Sequence, residues 1–553
     1  MTKKILAIFL SFIYSIAYIV VGPMMEKQSF GLDNSLVLPF ILCFVLCSAI
    51  NLLVFIYIPK WRFNIKNDCV SEWFNKIGDR KFFFCVWAFV FVLWIPAYLI
   101  LYPTILSYDI ISQVGSALGQ ITNNHHPVLH TWLIRFFMRL GEALFSSYEH
   151  GLGLFSLLQM LILSYALARL VLLLKKKKVP MILVLLTAFF SAIWFVNTCL
   201  AVTMVKDTLH AAFLILFVCH FTEIVMNPLE YSRKKRNLIF LPIISFFMCA
   251  FRNNGFHIYV FCFAALLFFR IAQIKKAKMY IVLIMVIILP VVIFKIYTGP
   301  VFKALHIEQG QVREMLSVPI QQLQRVAVHR ADELTSEQTE LMDYYIDNLA
   351  WMESASGRAY DPFISDPAKS CFYSNRYNEN PIAFWKFYLQ TGRQFPKEYI
   401  KAFLSNTLGY WYPGYYGFSY VMYENYPPEM LPEPLERTSI VDLQFLKKFY
   451  ESVCSADFWR ETVVLRLFFV PGFSIWLLIY ALIFAWKKRG FFTKEFLLFL
   501  PLIAQFGIMI LSPMSSFRYS WPFYLMLPIV FISIFGNKEL ILEKDKGAKT
   551  HLG

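Results

Sequence analysis

Residues Ile281 to Phe294 read IVLIMVIILPVVIF, fourteen positions without a single acidic or basic side chain. Phe468 to Trp486, FFVPGFSIWLLIYALIFAW, is a second stretch of the same kind. Runs this long and this free of charge mark membrane segments. The whole chain follows suit. Of its 553 residues 58% are hydrophobic and only 16% charged, with a mean hydropathy of +0.55, whereas a soluble domain carries about 25% charged residues. A water-soluble globular enzyme is excluded. Ile5 to Val21, behind Lys3 and Lys4, has the look of a signal peptide. Its apolar run exceeds the usual ~7–15 residues of a signal core and no small-residue cleavage site follows, which predicts a retained helix.

The formal net charge is +16, and its placement is more informative than its size. Lys and Arg gather in short connectors: Lys60 to Lys81, Lys175 to Lys178, Arg233 to Arg236, Arg270 to Lys278, and Lys487 to Arg489. The positive-inside rule makes such connectors cytoplasmic. Scattered in this way they form no nucleic-acid surface, and anionic membrane lipid is the expected partner.

Apolar runs and basic connectors together predict about twelve transmembrane helices, near 5–22, 35–58, 82–102, 151–174, 180–203, 207–226, 238–251, 256–272, 279–298, 466–486, 494–512 and 519–536. Alternation then puts both termini and every basic connector in the cytoplasm. The fold class is an all-α polytopic membrane protein with interfacial helices and a mainly helical extracytoplasmic domain. Its parts are 1–81 (two N-terminal helices and a basic loop), 82–298 (a transmembrane core with outer loop 103–150), 299–461 (the outer domain) and 462–553 (the last helices and a tail).

Within the outer loop, Pro127 to Phe145 reads as an interfacial helix, with Arg135, Arg139 and Glu142 on one face. In the outer domain, Thr335 and Gln338 form a capping box. Asn380-Pro381 opens a further helix that Gly392 closes, and loops are expected around Pro413-Gly414 and from Pro427 to Pro434. The ten cysteines lack metal spacing; only Cys371 and Cys454 lie in the outer domain, where a disulfide could form.

Polar residues at the outer helix ends are few. Asp109 follows the third helix, with Gln113 one turn later. His125 and His126 precede Pro127, and His130 follows. Lys206-Asp207 fills one tight turn, Arg252-Asn253-Asn254 another, and Arg518-Tyr519 begins the last helix. The apolar runs flanking Arg252 reach only about 21 Å each at ~1.5 Å per residue, short of a roughly 30 Å hydrocarbon core. That recesses the guanidinium and demands a polar cavity. One carboxylate among cations suits sugar transfer from a lipid phosphate, where the phosphate leaves readily and needs no protonating acid. Asp109 would be the catalytic base. Lys206, Arg252 and Arg518 would bind the donor phosphate, with Gln113, His125, His126, Asp207, Asn253, Asn254 and Tyr519 lining the site. Plainer roles compete. Asp109 could cap a short helix, Lys206-Asp207 could be a solvated turn, Arg518 could snorkel, and His126 with His130 have metal-compatible i, i+4 spacing. The aromatics Trp411, Tyr412, Tyr415 and Tyr416 read chiefly as interfacial belt and core, and secondarily as a sugar-stacking surface.

Tyr102-Pro103, Asp109, Gln113, His126-Pro127, Lys206-Asp207 and Leu316 to Gln322 (LSVPIQQ) carry a resemblance. From about residue 82 to 325 the chain resembles an uncharacterised family of bacterial membrane proteins near the GT-C superfamily of membrane glycosyltransferases. Those enzymes place an acidic residue just after the first core helix, here the third helix. The resemblance implies an inverting glycosyltransferase of a bacterial plasma membrane and cell envelope, active on the extracytoplasmic face. Its donor would be a polyprenyl-phosphate sugar and its acceptor a glycan, lipid or protein. Many GT-C members carry Asp-Glu or Asp-x-Asp in this loop, where this chain has Ile110 after Asp109, which leaves a divalent metal open. Two other functions fit a many-helix membrane protein. One is a transporter or flippase of a lipid-linked glycan, against which stand the large outer domain and the lack of repeats and of mid-membrane polar residues. The other is an O-antigen-ligase-like enzyme using Arg and His. An inactive scaffold of the same fold is a third.

Overall fold

The computed structural model describes residues 3–31, 33–57, 73–74, 76–106, 109–274, 278–347, 360–415, 443–453, 455, 458, 462, 470–489 and 493–535. Their secondary structure is helical throughout, with four isolated β-bridges and no strand among the described residues. The longer helices of the first half are α1 (Lys3–Ser15), α2 (Val37–Tyr57), α3 (Asp79–Ile100), α4 (Ile110–Leu118), α5 (Val128–Phe145) and α6 (Tyr148–Lys176). Then come α7 (Met181–Ile193), α8 (Phe195–Val202), α9 (Lys206–Met226), α10 (Lys235–Phe251), α11 (Asn254–Ile274) and α12 (Lys278–Ile296). Next along the chain come α13 (Ser317–Arg330), α14 (Ser336–Tyr345), α15 (Pro381–Gln394), α16 (Pro396–Asn406) and α17 (Gln444–Val453). The chain returns through α18 (Pro471–Arg489), α19 (Leu500–Ile510) and α20 (Phe517–Met526).

Among the described residues seven helices are long and apolar enough to cross a membrane, and eight if α7 and α8, bent by 49° at Trp194, count as one span. The protein is thus a multi-pass, all-α membrane protein, but the expected count of twelve is not supported. Four of the twelve apolar runs do not become full-length spans. α10 has seventeen residues, α19 has eleven, and the described apolar parts of α11 and α18 are Asn254–Phe269 and Pro471–Trp486. The physical reason is length: at ~1.5 Å per residue seventeen residues reach about 26 Å and eleven about 17 Å, short of a roughly 30 Å hydrocarbon core, whereas burial does not separate the two sets, since α9 is almost wholly buried and still long enough to span.

α9 is the centre of the bundle, packed against α6, α10 and α20. It is apolar on nearly every face, as a helix surrounded by others must be. The expectation that polar residues are missing from the bundle interior needs correction here. α9 buries His210 and His220, and each imidazole has a partner: Nδ1 of His210 lies 2.9 Å from the Met248 carbonyl, and Nδ1 of His220 lies 2.7 Å from the Tyr231 hydroxyl. At one end of the bundle Lys175 at the C-terminus of α6 pairs with Asp79 at the start of α3 (3.2 Å), and Lys177 lies within electrostatic reach of Glu223 and Glu230. The connectors that carry Asp79, Lys175, Lys177 and Glu230 therefore share an end.

α5 packs along the first turns of α6, where Gly141 and Gly151 let the two backbones touch. Arg135 turns back to cap the C-terminus of α4, donating to the carbonyls of Ala117 and Gly119, while Arg139 bonds Glu142 at 2.8 Å. Among α13 to α16, Leu316, Ile320, Leu323, Tyr345, Phe384, Phe387 and Tyr399 form a separate core. The Thr335–Gln338 capping box is present, and the Asn380 side chain accepts from the Ala383 amide. Gly392 does not close α15, which runs on to Gln394. Gly392 instead lies against the Tyr399 ring, and the helix ends where Phe395 precedes Pro396. Tyr412 and Tyr415 are buried against Met25 and Leu408, so they belong to a core. Cys371 has a free thiol. Cys454, Tyr416 and the proline cluster from Pro427 to Pro434 fall outside the described residues.

The N-terminal segment is tied to α13 and α16 through Arg325. This buried guanidinium binds Glu398 (2.9 Å) and donates to the Gln28 side chain (2.9 Å).

Candidate functional site

At the other end of the bundle, five chain segments converge. The stretch after α3 runs alongside the stretch before α9, pairing at a parallel bridge between Ile105 and Thr203. Buried side chains hold this junction. Thr104 donates to the Val202 carbonyl (2.7 Å) and accepts from the Met204 amide (3.1 Å). Gln159 of α6 donates to the carbonyls of Ala201 (2.7 Å) and Thr203 (2.9 Å). These bonds satisfy backbone groups freed where the helix breaks between α8 and α9. They also fix Asp109 relative to Lys206, which starts α9.

Lys206 Nζ lies 2.9 Å from Oδ2 of Asp109, and Nη1 of Arg518, at the start of α20, lies 3.3 Å from the same oxygen. Behind them, Asp207 is fully buried and pairs with Arg252 at the α10–α11 junction, while Arg518 Nε stands 3.8 Å from its other oxygen. Tyr519 completes the inner wall. Its ring faces both guanidinium groups, 4.8 Å from Arg252 and 5.0 Å from Arg518, and its hydroxyl accepts from Arg518 (3.0 Å). On the open side His126 Nδ1 is 3.4 Å from Lys206 Nζ, and its Nε2 is 3.3 Å from the Ser112 hydroxyl.

Three cations thus share two carboxylates, leaving one positive charge in excess. Burial alone would raise the Asp109 carboxyl, but Lys206 and Arg518 outweigh it and hold the group well below the usual carboxylate range. His126 is pushed down to about 3 by burial and then by Lys206, so its imidazole is neutral near pH 7.

The expected residues therefore divide. Asp109, His126, Lys206, Asp207, Arg252, Arg518 and Tyr519 meet in one network. Gln113 is buried nearby on α4 but makes no bond to it. His125 is exposed against the His126 ring. Asn253 is exposed and Asn254 half-buried at the start of α11, with no side-chain bond to the network. Asp109 makes no side-chain capping bond to α4, Asp207 is not solvated, and Arg518 is buried in ion pairs rather than extended to a surface. The i, i+4 pairing of His126 with His130 is not realised, because α5 begins at Val128, beyond Pro127. His130 packs between the rings of Phe155 and Phe251. No group of three or more His, Cys, Asp or Glu is placed to hold a metal ion among the described residues. Ser112 and the Thr104–Gln159 junction were not anticipated. Gln159 has a visible signal, an amide inside a long apolar helix; Ser112 has none.

Fold and site define a multi-pass helical membrane protein with a buried ion network at one end of its bundle. The model of a family of unknown function, DUF6020, matches residues 119–548, and the chain belongs to that family. The matched region contains Lys206, Asp207, Arg252 and Arg518, and begins after Asp109. No curated protein and no solved structure matches the chain.

Proposed function

We propose that this protein is a membrane glycosyltransferase of GT-C type that moves a sugar from a polyprenyl-phosphate donor to an extracytoplasmic acceptor, with inversion. The observation that supports this reading is the convergence of Lys206 and Arg518 on Asp109, with Arg252 and Asp207 directly behind. In the reaction an acceptor hydroxyl attacks the anomeric carbon, and the bond from that carbon to the phosphate oxygen breaks. The leaving phosphate keeps the electron pair and Asp109 takes the hydroxyl proton. Lys206, Arg518 and Arg252 supply fixed positive charge where the phosphate gains it. The site lies on the extracytoplasmic face of a bacterial plasma membrane, with both termini cytoplasmic.

The test is transfer from radiolabelled polyprenyl-phosphate sugars by the full chain in lipid vesicles. Asp109→Asn is expected to lower transfer about 10²- to 10⁴-fold while expression and folding persist. Full activity in that variant overturns the base assignment. Movement of labelled lipid across the vesicle with no new glycosidic bond replaces the transferase by a transporter.

A further inference from the structure

We propose that Lys206 and Arg518 form the subsite for a single phosphodiester charge, and that in the empty protein the Asp109 carboxylate occupies this subsite as a resident anion which the donor displaces. The inference rests on the transferase reading above and adds to it the charge state of the donor and the event that frees the base.

Geometry separates the two carboxylates. Asp207 is 0% exposed and sits behind the guanidinium groups, so it serves as their permanent counter-ion. Asp109 is 35% exposed, against 16% for Lys206, 14% for Arg252 and 10% for Arg518, and so lies on the open side of the network. A single oxygen of Asp109 receives both cations. Its side chain makes no capping bond to α4, so rotation about its own bonds releases it without unwinding a helix. An anion arriving from the open side meets Lys206 and Arg518 at the position that oxygen now fills.

Charge counting then selects the ligand. The network holds Lys206, Arg252 and Arg518 against Asp109 and Asp207, while burial keeps His126 and His130 beside it neutral. The excess of one positive charge is cancelled by a sugar phosphodiester, which carries one negative charge. After transfer the phosphate is a monoester with two negative charges, and the acceptor's proton resides on Asp109. The sum is again zero. A diphosphate-linked donor carries one more negative charge at both stages and leaves the buried network unbalanced, which is costly in a low-dielectric site. Displacement also resolves a conflict in the resting structure. A carboxylate held by two cations is a weak base, and transferring those cations to phosphate restores its affinity for a proton.

The test reads Asp109 directly. A hydrophobic carbodiimide modifies protonated carboxyls, and peptide mass spectrometry measures the labelled fraction at Asp109 in the purified full chain. Farnesyl methyl phosphate, a phosphodiester, is expected to raise labelling at pH 6.5 at least about tenfold and to protect Lys206 from acylation. Farnesol and inorganic phosphate at the same concentration should do neither, and farnesyl diphosphate should act more weakly than the diester. If the diester protects Lys206 and Asp109 labelling does not move, the displacement is overturned while the donor reading survives. If the diester does not protect Lys206, both fall. An equal response to inorganic phosphate overturns the lipid-linked diester as ligand, and an equal or stronger response to the diphosphate overturns the single-charge assignment.

Discussion

Asp207→Asn isolates the electrostatics of the network from any chemistry. Asp207 is wholly buried, and the two guanidinium groups around it are 14% and 10% exposed. Removing its charge breaks the Arg252 ion pair and leaves one carboxylate, Asp109, among three cations. Deleting one partner of a buried pair costs about 3–5 kcal/mol. Asparagine keeps the volume and one acceptor oxygen, so the lower end applies, roughly 3 kcal/mol or about a hundred-fold in the unfolding equilibrium. The assay is denaturant unfolding of purified protein in detergent for the parent, Asp207→Asn, Arg252→Gln and the double variant. Because the second change removes the charge the first one strands, the double variant should fall short of the sum by about 1.5–3 kcal/mol. Raising salt from about 0.05 to about 0.5 M should change this coupling little, since buried pairs are weakly screened. Coupling under about 0.5 kcal/mol refutes the buried pair as the centre of the network.

Acidification should weaken the fold above the range in which carboxylates titrate. His126 and His130 are each held down to about 3, chiefly by burial and then by Lys206, against an ordinary value near 6.5. Below pH ~6.5 the unfolded chain takes up protons that the folded chain refuses. Their contribution is therefore fully present above that pH and is lost toward pH 3, at up to about 1.4 kcal/mol per pH unit for each histidine. Unfolding midpoints of the His126→Gln/His130→Gln variant should lose most of this slope between pH 6.5 and 4, and an unchanged slope refutes the assignment. Gly151→Ala places a methyl group against the Phe137 carbonyl of α5 and should cost about 1–3 kcal/mol or more. Gly507→Ala, with nothing within 4 Å of the added carbon, should leave thermal stability in detergent unchanged; equal effects of the two refute the close α5–α6 approach.

Much of the site was legible because membrane sequences punish charge. Any Lys, Arg or Asp next to a long apolar run must have a reason to be there, and that rule alone singles out Asp109, Lys206, Asp207, Arg252 and Arg518. It does not separate them from Asn253, Asn254, His125 or Gln113, which occupy the same helix ends but point elsewhere. Local chemistry was legible too. The Thr335 capping box and the Asn380 cap involve residues three apart, so the sequence contains the whole interaction. The Gly392 stop was misread because the glycine answers to the Tyr399 ring, not to its own backbone.

Sequence by itself determined that the chain is a membrane protein and that its elements are helices. These properties follow from solvation and from bonding within a few residues. Only the tertiary structure decided which apolar runs are long enough to span, that Asp207 is sealed in while Asp109 stays open, and that Lys206 and Arg518 share one oxygen. Residues 109, 206, 207, 252 and 518 come from segments distant along the chain. Their distances are set by how α9 packs against α6, α10 and α20, and no local pattern encodes that.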